Sequence, residues 1–179
     1  MRVAPLGAYF YDRLPMLRKQ AQRSAEVTHF NLEAKVGATA IALAASLALR
    51  LRLDYQVISA EASLQMVYEG LEGSDTKSKI GKAIHIPKSY QIEMVTAILG
   101  SGTKLLAQDT VPFALWCTAH HLTNFEDALW TAVSGLGDRD TICAMVGSIV
   151  ILYADEKTIP RDWREAVEEV EKSPFRNLH

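Results

Sequence analysis

The sequence is poor in cysteine, in aromatic residues and in net charge, and each shortage closes off a class of protein. Only Cys117 and Cys143 occur in 179 residues, too few for a disulfide framework. They share no metal-ligand spacing, and both fall in apolar helical surroundings, where a thiol packs as a small hydrophobe. A reducing, cytoplasmic compartment is the expectation. Lys and Arg number 19 against 21 Asp and Glu, a formal net charge of -2, so the basic surplus that holds nucleic-acid phosphates is missing. No segment near the start has the build of a signal peptide. The longest uncharged stretch there, Val36 to Leu49, is shorter than the roughly 20 residues that span a bilayer and reads as a buried helix. Alternating apolar and polar runs bounded by turn residues are absent too, which excludes a sheet as the main element.

What is present is helical periodicity in a chain with 49% hydrophobic residues, long enough for a single core. The class expected is all-α, a compact orthogonal multi-helix bundle forming one domain. An amphipathic helix spans about Leu14 to Val27, with Leu14, Leu17, Ala21 and Ala25 on one stripe and Arg13, Arg18, Lys19 and Arg23 largely on a solvated face. Asn31 is placed to cap an Ala-rich helix ending near Arg52. Ser59 caps another to about Leu71, and Gly70, Gly73 and Ser74 open a polar connection to Lys79, the most loop-like part of the chain. Pro87 stands at the expected start of a helix carrying Ile92, Val95, Ile98 and Leu99 to a break at Gly100-Ser101-Gly102. A further helix is expected from about Thr110, with Pro112 in its first turn and Phe113, Leu115 and Trp116 facing inward. Asn124 with Asp127 three residues on opens the next. Ile142 to Tyr153 lacks any charge, which predicts a central buried helix. A last surface helix begins at Pro160, its stripe formed by Ile159, Trp163, Val167 and Val170.

The densest chemistry lies in Gly135-Leu136-Gly137-Asp138-Arg139-Asp140-Thr141. Two carboxylates and a hydroxyl fall within four residues, just where the apolar helix begins. Hard cations such as Mg²⁺ favour such oxygens and take one or two carboxylates from a segment. Asp138 is equally suited to capping the helix, and Asp140 to its positive end; spacing alone favours the cap. His29, alone before an N-cap, reads as a structural hydrogen-bonder, and Gly100 to Thr103 as a helix C-cap and turn. His120 and His121 fall at a helix end and have no zinc spacing.

Gly-Asp-Arg-Asp-Thr-Ile at 137–142, followed by a small and apolar helix and then Ile159-Pro160 and Trp163, resembles the C-terminal signature of the ADP-ribosylglycohydrolases, which usually read Gly-Gly-Asp-Thr-Asp-Thr. The likeness extends backward. Val111-Pro112-Phe113-Ala114-Leu115-Trp116 is similar to that family's Val-Pro-x-Ala-Leu-Trp, and Phe125 to Leu129 to its acidic helix. Thr28-His29 resembles its Thr-His element, and Met1-Arg2-Val3-Ala4-Pro5-Leu6-Gly7 its mid-sequence Met-Arg-x-x-Pro-Leu-Gly.

The resemblance implies an all-helical, metal-dependent hydrolase that removes ADP-ribose from an acceptor, with two Mg²⁺ or Mn²⁺ ions held by an early Thr-Asp-Asp and a late Asp-x-Asp-Thr motif. It implies metal ligation by Asp138, Asp140 and Thr141. It assigns His29 to the ADP-ribose pocket, and Gly100, Ser101 and Gly102 to a loop whose backbone approaches the ligand. No Thr-Asp-Asp precedes Met1, and Leu136 and Arg139 stand where the family usually has glycine and threonine. The chain is therefore expected to be the C-terminal part of such a domain, inactive alone. Its expected partners are an ADP-ribosylated substrate and an N-terminal companion chain or a second copy, with no membrane or nucleic acid. An exposed apolar patch should mark the contact. The other expectation is a catalytically inactive helical interaction module carrying a remnant motif.

Overall fold

Helix α3, Leu32–Leu53, is the axis of the fold in the computed structural model, which describes residues 1–167. Asn31 caps it by accepting from the Ala34 amide at 2.8 Å. Its interior carries Ala40, Ala42, Ala44, Ala45 and Ala48, all buried, so neighbouring helices approach closely. Around it pack α1 (Ala4–Tyr9), α2 (Leu14–Glu26), α4 (Ala60–Glu69), α5 (Asp75–Ala83), α7 (Ala107–His120) and α9 (Arg139–Val150). The layer is completed by α6 (Ile92–Leu99), α8 (Phe125–Ser134), a 3₁₀ turn at Glu156–Thr158 and α10 (Arg161–Glu165). No strand occurs among the described residues, so the expected all-α class holds. At 22 residues and a mean hydropathy of 1.5, α3 has the length and composition of a membrane span, but 67% of that stretch is buried inside the protein. It is a core helix.

The core is one cluster of aliphatic side chains with Phe113 and Trp116 at its centre. Both come from α7, their rings stacked at 6.3 Å, and the Trp116 indole N–H donates to the Ile86 carbonyl at 2.8 Å. That bond satisfies a polar atom which burial would otherwise orphan.

Several boundaries differ from those the sequence suggests. Residues 75–83 form α5 where a loop was expected. Ser74 caps it on the Lys77 amide at 3.0 Å, and Thr76, Ile80 and Ala83 make a buried stripe at helical spacing, so tertiary burial offsets the polar composition. Pro87 lies outside α6, whose N-cap is Gln91. Helix α7 starts three residues before Thr110, which leaves Pro112 inside it at the cost of one hydrogen-bond donor. Helix α9 stops at Val150 and exposes Ala144, so it is buried on one face only. Helix α1, with Pro5 in its first turn, had no clear periodic signal. Val170 of the last expected stripe lies outside the described residues.

Candidate functional site

The acidic motif sits where α9 begins. Asp138 is the N-cap, its Oδ1 accepting from the Thr141 amide at 3.3 Å, so the capping expectation holds. The same residue is anchored from behind: its own amide donates to the Ser101 carbonyl at 2.9 Å. The turn before it carries Leu136 at φ 56°, the left-handed region, which costs a leucine about 1 kcal/mol. Glycine at this position, the family's usual residue, would avoid that cost.

Two glycines let the loop and the motif touch. A Cβ on Gly137 would run into the Ser101 carbonyl, and one on Gly102, at φ 84°, would lie 2.7 Å from the Asp138 Cβ. The loop is clamped in turn by Asp109 in the first turn of α7, only 4% exposed. Its Oδ2 accepts from the Lys104 amide at 2.9 Å, and its backbone carbonyl accepts from the Gly102 amide at 2.9 Å. A chain of contacts thus runs from Asp109 through the Gly100–Leu105 loop to Asp138.

Asp138 and Thr141 face a cavity of about 490 Å³ bounded by the starts of α3, α7 and α9 and the end of α2. Met145, one further turn along α9, shares the wall. His29 and Arg2 line the same cavity. The His29 ring Nδ1 lies 2.9 Å from the Thr28 hydroxyl, which also accepts from Arg2 Nη2 at 3.3 Å. Glu33 borders the cavity as well, but its carboxylate is already engaged. It accepts from the Asp75 and Thr76 amides at 3.0 and 2.9 Å and from the Thr76 hydroxyl at 2.6 Å. Burial alone would raise its pKa; the Thr76 and Asp75 hydrogen bonds outweigh that and hold it below the usual carboxylate range.

Of the residues singled out from the sequence, Asp138, Thr141 and His29 therefore share one cavity. Asp140 is exposed in the first turn of α9 and does not line it. Gly100, Ser101 and Gly102 lie behind Asp138, supporting it, and are not on the cavity wall. His120 and His121 lie elsewhere, at the C-terminal end of α7. The His120 ring Nε2 sits 3.1 Å from the Ile86 carbonyl, and His121 Nε2 lies 3.1 Å from the Thr131 hydroxyl. Burial, reinforced by the Lys88 charge, pushes the His121 pKa down to about 4. Sequence reasoning overlooked Arg2, Leu105 and Asp109. Arg2 was visible inside the Met-Arg-x-x-Pro motif. Asp109 looked like any acidic first-turn residue, and only its burial distinguishes it.

The donor set fits a hard divalent cation in kind. Asp138 keeps carboxylate lone pairs beyond the one long bond to Thr141, and the Thr141 hydroxyl adds a second oxygen on the same face. Mg²⁺ commonly takes one or two carboxylates and completes its six positions with water or ligand oxygens. Among the described residues no three His, Cys, Asp or Glu side chains gather into a full cage, so Asp138 and Thr141 would be an incomplete ligand set by themselves.

Oxygen donors at one helix start, a guanidinium and an imidazole thus line one cavity of an all-helical protein. The chain belongs to the ADP-ribosylglycohydrolase family, whose profile matches residues 1–178. It is 33% identical over 173 residues to an uncharacterised protein of Archaeoglobus fulgidus, covering 96% of this chain and 53% of that protein. It is 26% identical to human ADP-ribosylhydrolase ARH3 over 206 residues, 100% of this chain and 56% of the relative. The chicken ADP-ribosylhydrolase ARH3 is 25% identical over 193 residues, 94% of this chain and 52% of the relative. The chain spans about half the length of the curated relatives it matches.

Proposed function

We propose that this chain contributes the late metal motif and part of the ligand pocket of a hydrolase that removes ADP-ribose from an acceptor. The observation that carries the reading is the shared cavity of Asp138, Thr141 and His29 in a chain of this family. A volume near 490 Å³ falls within the range of small-molecule sites. Asp138 and Thr141 would hold Mg²⁺ or Mn²⁺, and Asp140 is added on the family pattern. The ion supplies positive charge to the hydroxyls of the terminal ribose when bound. Arg2 and His29, which line the same cavity, suit the phosphates. Hydrolysis adds water across the bond from ribose to acceptor: the hydroxyl goes to the sugar carbon and the proton to the leaving acceptor.

The general acid or base and the remaining metal ligands would come from a companion segment bearing Thr-Asp-Asp. Exposed Val27, Phe30, Leu32, Leu105 and Leu106 beside the cavity support a covering partner, whether that companion or a second copy. Two free thiols suit a reducing, cytoplasmic compartment.

Titration of ADP-ribose in Mg²⁺, followed by backbone amide NMR, is the test. Shifts at Thr141 and His29 that weaken in Asp138→Asn are expected, and unchanged spectra in that titration would sink the reading. The same exposed apolar residues favour a second reading, a non-catalytic module that binds a partner through this face. On that reading divalent ions have no effect on stability.

A further inference from the structure

Two tryptophans meet at the surface, outside the cavity, which neither of them lines. Trp130 of α8 is 55% exposed, and its ring centre lies 6.0 Å from that of Trp163 in α10, the planes tilted by 60°. The Thr158 hydroxyl accepts from the Phe125 amide at 3.1 Å, which ties the segment before α10 to the start of α8 and so brings the rings together. The Trp130 indole N–H donates to Glu126 Oε1 at 3.3 Å, one turn back. The ring is therefore held by its edge while more than half of its surface stays open to solvent, an unusual setting for the largest apolar side chain.

The same elements are acidic. Glu126, Asp127, Asp155, Glu156, Asp162 and Glu165 are all exposed on them, against Lys157, Arg161 and Arg164. Among the described residues the ion pair formed there joins Arg161 to Glu165, and no Lys or Arg lies over either indole. Elsewhere the chain supplies such a cation itself: Lys35 Nζ sits 4.3 Å from the Phe30 ring centre, and Lys77 Nζ 4.6 Å from that of Tyr68. Tryptophan attracts a cation within about 6 Å more strongly than either ring, and nearby carboxylates add to the attraction. The α8 and α10 surface thus holds the aromatic and anionic parts of a cation site without the cation.

We propose that Trp130 and Trp163, with Glu126 and the neighbouring carboxylates, form an interaction surface for a basic segment of a partner protein, which lays a Lys or Arg side chain on the indoles. Cation–π attraction and pairing with Glu126 act together, and association buries the exposed rings. A neutral apolar partner would strip water from the carboxylates and give nothing in return.

The test is NMR of the indole N–H groups in the full chain, titrated with a Lys-Gly repeat peptide, an Arg-Gly repeat peptide, the matching Gln-Gly peptide and a neutral oligosaccharide. Saturable shifts of Trp130 and Trp163 with the two basic peptides alone are expected, weakened by salt, while the buried Trp116 stays in place. Trp130→Leu should weaken the basic peptides about fivefold. Glu126→Gln, which keeps an acceptor for the indole, should weaken them about threefold. Equal shifts with the Gln-Gly peptide would make the contact merely apolar, and larger shifts with the oligosaccharide would assign the pair to a glycan. Either result overturns the proposal, as does unchanged affinity in both variants or the absence of any shift at Trp130 and Trp163.

Discussion

The Asp138 amide and the Ser101 carbonyl are joined at 2.9 Å, and this bond ties the start of α9 to the loop that follows α6. It exists only because Gly137 has no side chain, since a Cβ there would occupy the space of the Ser101 carbonyl. Gly137→Ala should therefore force the two segments apart. A loss of about 1–3 kcal/mol is expected, the range for overpacking that shifts backbone, together with displaced Ser101 and Asp138 amide resonances. Stability within about 0.5 kcal/mol of the parent in urea, as for a neutral surface change, would mean that the loop is not tied in this way.

Asp109 is the buried end of the same chain of contacts. Asp109→Ala leaves the Lys104 amide without its acceptor, and an unpaired polar group in such a place costs about 1–3 kcal/mol. Faster hydrogen exchange at Lys104 and Leu105 should accompany the loss, while the Trp116 indole, held by Ile86, keeps its protection.

The tandem histidines set an acid limit. The unfolded-state pKa of His121 is near 6.5 and the folded value is about 4, so as pH falls below 6.5 the unfolded chain takes up the proton first. Stability should be complete above that pH, decline from about 6.5 towards 4 and then level off for this group. His120 is shifted in the same direction, by burial above all. The depressed Glu33 carboxyl adds its own loss only below about 4.5. Thermal melts between pH 7 and 5 isolate the histidines, and His121→Gln should flatten the slope there.

Divalent ions separate the two readings of the site. If Asp138 and Thr141 ligate, Mg²⁺ or Mn²⁺ at a hundredfold excess over Kd adds about 2.7 kcal/mol, a rise in Tm of several degrees for a chain of this size. Asp138→Asn should lose that increment, and Asp140→Asn should lose part of it. Equal Tm with and without ions in all three proteins would favour the interaction module.

The all-helical class, the core stripes and the caps at Asn31, Ser59, Asn124 and Asp138 were legible in the sequence because each is a local matter. Side chains three or four residues apart share a face, and a capping oxygen reaches only the next turn. Asp138, Thr141 and His29 were marked as residues of interest by the family resemblance, where local spacing favoured a cap and a structural histidine. The sequence had no means of showing that a cavity joins them.

That joining, and the division of labour around it, is tertiary. The family resemblance paired Asp138 with Asp140 and set Gly100, Ser101 and Gly102 against the ligand. Folding left Asp140 exposed in the first turn of α9 and packed the glycine loop against Asp138. It also made a helix of residues 75–83 by burying Ile80 and drawing Glu33 onto the start of that helix, and it buried Asp109 where the sequence showed only an acidic first turn. Sequence period governs contacts within a helix. Which helix ends meet, and which backbone amides lack a partner until another segment arrives, is decided by how α3 gathers the others around it.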